Sequence, residues 1–285
     1  GPARSVRNGA TARALVLGGG GLAGAAWQLG LVAGLAERGV DLRDADLLIG
    51  TSGGATTAVQ LASDVPLARL YAAQQAGTAE PAPPPMRLPD GFDTGAWRAG
   101  HDDPAVRARV GAAALAAATG DEAYRLELIS ARLPDTRWPR REVRLTAVDA
   151  ASGELAVFGR SDGVPLVAAV AASCAVPTVW PPVTIDGRRY VDGGVRSVTN
   201  ADLAAGYDRI VVLSGIAEDS NSVYPTPIAA ELRQLGTSRV RYVTPDPVSR
   251  AAMRPSKMDP ATRGPSATAG HRQAGAIATH LRAIW

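Results

Sequence analysis

Short apolar runs that end in glycine-rich turns organise the first part of the chain. Residues 14–17 are apolar, too few for a helix, and lead straight into four glycines at 18–21. Residues 46–49 lead in the same way into Gly50-Thr51-Ser52-Gly53-Gly54. Apolar residues recur at helical spacing after the first turn, and a second helix is expected up to about Ser63. Two successive units of strand, glycine turn and helix predict a parallel α/β sheet.

The same patterns predict the remaining strands and helices. Strands are expected at residues 143–148, 155–158, 210–213 and 240–243, and Asp186-Gly187 predicts a two-residue turn between strands 183–185 and 188–191. Helices are expected at residues 104–118, 121–133, 166–173 and 228–235, followed by a closing helix with Ile277, Leu281 and Ile284 on one face. The predicted fold is a single three-layer α/β/α domain with a mostly parallel central sheet.

We place this single domain at residues 11–285 of the 285-residue chain. Gly1 and Pro2 resemble the scar of a cleaved purification tag, so residues 1–10 are expected to be a tag remnant and a disordered terminus. Residues 77–91 contain five prolines. Such a density of proline prevents regular structure, and it predicts a surface loop or lid.

The charge and the cysteine content of the chain limit which binding partners and which cellular compartment we expect. The chain has 30 Lys and Arg against 27 Asp and Glu, which argues against a nucleic-acid partner and leaves peripheral attraction to an anionic membrane open. A single cysteine, Cys174, excludes an internal disulfide, and its apolar neighbours favour a buried side chain over a catalytic thiol. We expect a cytoplasmic protein. Residues 14–36 and 163–185 lack charge, but their glycines and prolines argue against membrane-spanning helices.

Ser52 stands at the centre of a Gly50-x-Ser52-x-Gly54 motif between a predicted strand and a predicted helix. A sharp turn there requires small neighbours and raises the serine hydroxyl above the edge of the sheet. It also directs the Gly53 amide and the N-terminus of the next helix toward a developing oxyanion. This placement favours a nucleophile over a structural turn.

The glycines at residues 18–24 allow two interpretations. Gly19-x-Gly21-x-x-Gly24 satisfies the dinucleotide-binding fingerprint. That site also requires an acid at the end of the second strand, where this chain has Gly50 and Thr51, so we expect no bound nucleotide cofactor. The alternative is a loop whose successive backbone amides hold an anion, as acyl transfer requires.

A hydroxyl nucleophile needs a base, and the candidates are three histidines and one aspartate. His101 lies beside two acids in a loop, and His271 and His280 lie in the terminal helical segment, so each is more typical of a surface or packing role. Asp192-Gly193-Gly194 follows the hairpin and by itself is typical of an ordinary turn. A carboxylate that contacts the serine directly is a serious alternative to histidine, provided that it is shielded from water.

The ordered set of three glycine turns resembles the patatin-like phospholipase family. Members of that family carry a glycine-rich anion loop, a Gly-x-Ser-x-Gly elbow and an Asp-Gly-Gly/Ala turn in this order. The chain has similar segments at residues 19–24, 50–54 and 192–194. Residues 171–200 also resemble the family's approach to its aspartate, and the ordered triple is far more specific than any one of its parts.

The resemblance implies a Ser–Asp dyad in which Ser52 attacks an ester carbonyl and Asp192 moves the proton. It implies lipid acyl esters as substrates, as in phospholipase A, lysophospholipase or carboxylesterase activity, with no metal and no organic cofactor. The implied oxyanion hole consists of Gly19, Gly20, Gly21 and Gly53, and the remaining motif glycines are Gly24, Gly50, Gly54, Gly193 and Gly194.

One position departs from the family pattern, and two other functions stay open. The family usually carries Arg or Lys before the last glycine of its loop, whereas this chain carries Ala23. An α/β-hydrolase-type esterase would use Ser52 and Asp192 with His271 or His280, although its elbow normally follows more than two strands. A catalytically silent lipid-binding module of the same family is the other alternative, and Ala23 keeps it open.

Overall fold

The computed structural model describes residues 11–78 and 80–285, so the tag remnant and disordered terminus expected at residues 1–10 lie outside the described residues. One sheet contains β1 (Arg13–Leu17), β2 (Leu47–Gly50), β3 (Val143–Asp149), β4 (Leu155–Phe158), β5 (Val183–Ile185), β6 (Arg188–Asp192), β7 (Arg209–Leu213) and β8 (Arg239–Val243). Strands β1, β2, β3, β7 and β8 pair in parallel, and β4, β5 and β6 add antiparallel pairs. The predicted α/β fold with a mostly parallel central sheet is confirmed.

The pairing of β3 brings the ends of β2 and β6 together. β4 pairs with residues 145–148 of β3 and therefore occupies one edge of that strand. β2 pairs with residues 143–145 and β6 with residues 147–149, so both lie on the opposite edge, one beyond the other. Gly50 is opposite Leu145, and Asp192 is opposite Ala147. The turns that follow β2 and β6 consequently meet at one point of the sheet.

Helices cover both faces of the sheet. They are α1 (Gly21–Glu37), α2 (Gly53–Ala62), α3 (Leu67–Ala76), α4 (Thr94–Ala99), α5 (Pro104–Ala116), α6 (Glu122–Ser130), α7 (Leu166–Ser173), α8 (Ile228–Gln234), α9 (Pro247–Ala252) and α10 (Arg263–Ile284). Leu15 and Leu17 of β1 share a core with α1, α2, α7 and α10, whereas Ala14 and Val16 pack with α8 on the other face. Helices α4 and α5 pack against β3 and β6 on that second face.

Glycines let α1 and α10 pack closely along each other. A Cβ atom at Gly30 would lie 2.0 Å from the carbonyl oxygen of Ala267, and one at Gly270 would lie 2.2 Å from the carbonyl oxygen of Trp27. The absence of side chains at these positions lets the two backbones touch. Because α1 begins at the glycine loop, α10 holds the helix that carries this loop.

Three short helices and the start of α10 differ from the sequence prediction. The apolar pattern predicts no element at α3, α4 or α9. The five prolines between residues 245 and 265 predict a loose segment ahead of the closing helix. Helix α10 instead begins at Arg263 and includes Pro265 in its first turn. Proline is tolerated there because amides of a first helical turn have no intrahelical partner to lose.

The proline-rich segment and the two uncharged stretches behave as their composition predicts. The described residues of segment 77–91 form neither helix nor strand. Residues 14–36 form most of β1 and α1, and residues 163–185 include α7 and β5. None of the described helices is long and apolar enough to cross a membrane.

Candidate active site

Ser52 occupies a sharp turn between β2 and α2. Its backbone has φ 57° and ψ −126°, a conformation that a non-glycine residue adopts at an energetic cost of about 1–3 kcal/mol. The flanking glycines are required by close contacts: a Cβ at Gly50 would lie 2.6 Å from the Cα of Ala55, and one at Gly54 would lie 2.0 Å from the carbonyl oxygen of Leu17. This strand–turn–helix geometry is that of a nucleophile elbow.

The side chains of Ser52 and Asp192 are in direct contact. The Ser52 hydroxyl donates a hydrogen bond to Oδ2 of Asp192 at 2.7 Å, and the Gly194 amide donates to Oδ1 of the same carboxyl at 2.7 Å. Asp192 is 1% exposed. A shielded carboxyl thus lies against the hydroxyl, as the sequence argument required of a carboxylate base.

Burial raises the pKa of Asp192 to about 7. The hydrogen bonds from Ser52 and Gly194 and the positive charge of Arg125 act in the opposite direction, because they favour the ionised form. A carboxylate with a pKa near 7 accepts a proton more readily than an ordinary aspartate, yet it is still ionised above that pH.

The residues at the end of α7 hold the elbow from both sides. The Ser52 amide donates to Oγ of Ser173 at 3.0 Å, and the Cys174 thiol donates to the Ser52 carbonyl at 3.0 Å. Burial raises the pKa of Cys174 to about 11, so the group is a thiol at neutral pH and not a nucleophilic thiolate. Cys174 is buried, as predicted, but its contact with the elbow is not visible in the sequence.

Asn200 connects the turn that carries Ser52 with the turn that carries Asp192. Its side-chain amide donates to Oγ1 of Thr51 at 3.1 Å and to the carbonyl of Gly193 at 3.2 Å. The Thr51 hydroxyl is in turn 2.7 Å from that of Thr146 in β3. Asn200 is fully buried, with a left-handed backbone (φ 47°, ψ 38°) that asparagine tolerates better than most residues. Sequence reasoning missed this role, because one Asn in a loop carries no pattern.

The glycine loop places free amides beside the serine hydroxyl, but not from every predicted residue. A Cβ at Gly53 would lie 2.5 Å from the carbonyl oxygen of Gly21, so the loop and the elbow are in contact. The amides of Gly20, Gly21 and Gly53 have no hydrogen-bond partner within the described chain. The Gly19 amide donates to the carbonyl of Val198 at 2.8 Å. The inclusion of Gly19 among the oxyanion donors therefore needs correction, because its N–H is already engaged.

Ala23 occupies the position where the family usually has a basic residue, and the segment around Lys257 packs against it. Ala23 is fully buried, and its amide donates to the carbonyl of Lys257 at 2.9 Å. Lys257 is among the residues that line the same cavity as Ser52, and burial together with Arg250 and Arg254 lowers the pKa of its side chain. A basic residue from a segment far along the chain thus lies beside the glycine loop.

A cavity of about 960 Å³ opens over the two side chains, within the size range of small-molecule sites. Its wall is mostly apolar and includes the glycine loop, parts of α3 and α6, and residues 78 and 80–84 of the proline-rich segment. Glu80 of that segment forms an ion pair with Arg132 at 2.7 Å. The segment expected to be a loop or lid therefore forms one side of the cavity.

The histidines lie elsewhere. Nδ1 of His101 is 3.1 Å from the carbonyl oxygen of Arg196. His271 contacts Glu37 through Nε2 at 2.9 Å and stacks on Tyr71. No histidine of the described residues lines the cavity. The part of the chain that the structure describes also contains no cluster of His, Cys, Asp or Glu able to hold a metal ion.

Comparisons with known proteins find similar solved structures but no matching curated sequence. None of the curated proteins compared with it matches its sequence. Among solved structures it is similar to VipD from Legionella pneumophila, at 12% identity and a TM-score of 0.45 over 95% of this chain and 67% of that one. It is also similar to the type III effector protein ExoU, at 15% identity and a TM-score of 0.40 over 96% of this chain and 53% of that one.

The chain thus spans about two thirds of the length of the first of these proteins and about half of the second. A family model described as patatin-like phospholipase matches residues 15–205, a segment that includes Ser52, Asp192 and Asn200. The chain therefore belongs to the patatin-like phospholipase family, which implies a lipid acyl hydrolase.

Proposed function

We propose that the chain is a serine lipid acyl hydrolase of the phospholipase A, lysophospholipase or carboxylesterase type, with Ser52 as nucleophile and Asp192 as its base. The observation that carries the proposal is the 2.7 Å hydrogen bond from the Ser52 hydroxyl to the buried Asp192 carboxyl at the floor of the cavity. The left-handed elbow at Ser52 adds support, because such strain is characteristic of functional sites.

In the proposed reaction, the Ser52 hydroxyl attacks the ester carbonyl while its proton passes to Oδ2 of Asp192. The developing oxyanion accepts hydrogen bonds from the amides of Gly20, Gly21 and Gly53, two of which lie at the N-termini of α1 and α2. Collapse of the tetrahedral intermediate expels the alcohol, which takes the proton from Asp192. Water then attacks the acyl-serine and gives a proton to Asp192. The bond from the acyl carbon to Oγ of Ser52 breaks, Asp192 returns the proton to Oγ, and the fatty acid leaves.

The surroundings of Asp192 favour the dyad over a triad. The Ser52 hydroxyl contacts the Asp192 carboxyl directly at 2.7 Å, whereas a triad would have an imidazole between these two groups. His271 is engaged with Glu37 and Tyr71. The raised pKa of Asp192 supports its role as a base, since it narrows the gap to the pKa of a serine hydroxyl.

Two substitutions test the dyad. Ser52→Ala and Asp192→Asn are each expected to reduce turnover of p-nitrophenyl butyrate by about a thousandfold or more. A fluorophosphonate probe should label the wild-type chain on the peptide that contains Ser52 and should not label Ser52→Ala. The wild-type value of kcat/KM should rise as the pH increases through about 7, because only the carboxylate form of Asp192 accepts the proton.

A His271→Gln/His280→Gln double variant is the control, and it should retain wild-type turnover. Loss of its activity with an intact fold would favour the Ser–Asp–His triad. A folded wild-type chain that neither turns over the ester nor takes up the probe would indicate a silent lipid-binding module instead.

The same proposal includes peripheral contact with membranes, where lipid esters reside. It is supported by the excess of basic over acidic residues and by the proline-rich wall of the cavity. The chain should co-sediment with vesicles that contain anionic lipid, and this binding should weaken as salt is added. Absence of co-sedimentation at low salt would remove this part of the proposal.

A further inference from the structure

Arg125 is a buried cation without a polar partner in the wall of the catalytic cavity. It lies on α6, is 4% exposed and lines the same cavity as Ser52 and Asp192. Neither Nε nor Nη1 of its guanidinium has a hydrogen-bond partner among the described residues. The guanidinium carbon lies 3.8 Å from the ring centre of Trp180, within the distance of a cation–π contact.

The acids near Arg125 are engaged elsewhere. Glu80 pairs with Arg132 at 2.7 Å. Asp192 accepts hydrogen bonds from Ser52 and Gly194. Burial lowers the pKa of Arg125 to about 10, with Arg132 adding to the effect, so the guanidinium is still charged at neutral pH. A charge buried without a counter-ion is unfavourable, and a fold normally pairs such a group or replaces it with an apolar residue.

The cavity as a whole is lined by more basic than acidic residues. Among the described residues that line it, the basic side chains are Arg69, Arg125, Arg132, Lys257 and Arg263, and the acidic ones are Glu80 and Asp192. A cavity with an excess of cations and low-dielectric walls attracts and retains anions. Arg125 is the most buried of these cations, and the charge of Asp192 acts on its pKa. An anion in the cavity would therefore supply the missing counter-charge close to the reacting ester.

We propose that Arg125 recognises an anionic group of the substrate, a phosphate or a carboxylate close to the scissile ester, and that the chain acts on anionic lipid esters in preference to neutral ones. This inference rests on the proposed hydrolase function and adds the substrate class. Guanidinium groups suit the purpose because they present several N–H donors in one plane to phosphate or carboxylate oxygens. The role is one of specificity and is separate from the proton transfer between Ser52 and Asp192.

A matched pair of substrates tests the preference: 1-oleoyl-glycerol 3-phosphate and 1-oleoylglycerol carry the same acyl chain and differ in the phosphate. The wild-type chain should have the higher kcat/KM on the phosphate ester. Arg125→Gln should reduce the ratio of the two kcat/KM values by roughly tenfold or more, mainly through KM, because a charge-assisted contact is lost. Arg140→Gln is the control, since it removes the same charge from an exposed position outside the cavity, and it should leave the ratio unchanged.

Arg125 also acts on Asp192, so a second readout is needed. Loss of the positive charge should move the pH midpoint of kcat/KM upward on both substrates alike, because Arg125 lowers the pKa of Asp192. Selectivity and midpoint are therefore separate observables. A changed midpoint with an unchanged substrate ratio would overturn the proposal and leave Arg125 with an electrostatic role only.

A binding experiment keeps the inference testable without catalysis. Ser52→Ala is titrated calorimetrically with decyl phosphate, decanol and inorganic phosphate. Decyl phosphate should bind at least about tenfold more tightly than decanol, and the preference should disappear in Ser52→Ala/Arg125→Gln. Equal binding of decyl phosphate and decanol would overturn the proposal, as would binding of inorganic phosphate as tightly as decyl phosphate, since the site would then recognise free phosphate and not a lipid.

The kinetic and the binding experiments distinguish the hydrolase function from the anion site at Arg125. A wild-type chain that hydrolyses neither ester but binds decyl phosphate through Arg125 would contradict the hydrolase function and support the anion site. Arg125→Gln removes an unpaired buried charge, which favours the fold, and the contact with Trp180, whose loss opposes it, so this variant should unfold thermally close to wild type. If it does unfold earlier, Arg125→Lys keeps the charge without the planar donors, and its unchanged selectivity would contradict a guanidinium-specific contact.

Discussion

At the scale of single residues, the buried carboxyl of Asp192 links activity to stability. Its pKa of about 7 in the folded chain lies above the ordinary value of 3.8 because the charge is removed from water. Between these two pH values, the folded state holds a proton that the unfolded state has already released. The free energy of unfolding therefore decreases as the pH rises through this window. The carboxyl that we propose as the base for Ser52 thus makes the fold less stable at neutral and alkaline pH.

Asp192→Asn should reverse this effect, because an amide has no charge to bury. The free energy of unfolding of the variant minus that of wild type should be roughly 2–4 kcal/mol larger at pH 8 than at pH 4. Urea denaturation of both chains at the two pH values measures the change.

Asp149→Asn is a control of opposite sign. Despite burial, hydrogen bonds from Ser152 and Ala151 hold the pKa of Asp149 below its ordinary value. This substitution should therefore lower stability at pH 8, where the wild-type carboxylate is ionised. An Asp192→Asn variant whose difference from wild type is the same at pH 4 and pH 8 would contradict the burial of a charged carboxylate.

The features around Ser52 differ in whether neighbouring residues in the sequence determine them or a distant segment does. The apolar runs and glycine turns around Ser52 are local features, so they predict an elbow from the sequence alone. The engagement of the Gly19 amide with Val198 is not local, since the partner lies in the segment after β6. Runs of glycine indicate where amides are exposed to an anion, but only the packing of other loops decides which amides remain free.

At the scale of secondary-structure elements, the site depends on the meeting of β2 and β6 at one edge of β3. Ser52 and Asp192 are 140 residues apart, and neither strand pairs with the other directly. Asn200 bridges the turns that follow the two strands, with hydrogen bonds to Thr51 and Gly193. The distance between the Ser52 and Asp192 side chains therefore depends on the pairing register of the strands and on one buried amide.

Asn200→Ala should disrupt this connection. The substitution removes buried hydrogen bonds to Thr51 and Gly193. It also places alanine in a left-handed backbone, which a residue with a Cβ and no polar group adopts unfavourably. Together the two effects should lower the free energy of unfolding by about 2–4 kcal/mol. The value of kcat should fall with little change in KM, since the residue positions the dyad and is not in the wall of the cavity.

Asn200→Gly separates the two contributions, because glycine accepts the left-handed backbone but lacks the amide. It should recover part of the stability of Asn200→Ala and none of the lost kcat. Full recovery of kcat in Asn200→Gly would mean that backbone conformation, and not the hydrogen bonds, aligns the two turns.

At the scale of the whole molecule, α10 supports the site from outside the segment that the family model matches. That segment ends at residue 205, whereas α10 runs from Arg263 to Ile284 and packs along α1. The N-terminus of α1 carries Gly20 and Gly21, so the position of these amides depends on a helix near the end of the chain. Lys257, which precedes α10 in the chain, is among the residues that line the cavity.

Two glycines of α10 provide a matched test of this support. Gly270→Ala would place a Cβ 2.2 Å from the carbonyl oxygen of Trp27, so the helices must separate, at a cost of about 1–3 kcal/mol. Gly275→Ala meets only the flexible end of Arg38, at 3.2 Å, and should be neutral or stabilising by up to about 1 kcal/mol. Thermal unfolding measures both.

Turnover of p-nitrophenyl butyrate should fall in Gly270→Ala and persist in Gly275→Ala, because displacement of α1 moves the amides of the glycine loop. Equal stability and equal turnover in the two variants would contradict a close α1–α10 contact.

The sequence by itself determined the alternation of strands, glycine turns and helices, the elbow at Ser52 and the membership of the family. These properties depend on residue types and spacings within short windows, where backbone preference and apolar period act directly. Only the tertiary structure decided that Asp192 lies against Ser52, that the Gly19 amide is engaged and that Asn200 joins the two turns. It also decided that Nε and Nη1 of Arg125 are buried without a hydrogen-bond partner among the described residues. Each of these depends on strand register and on burial by distant segments, and local preference contains neither.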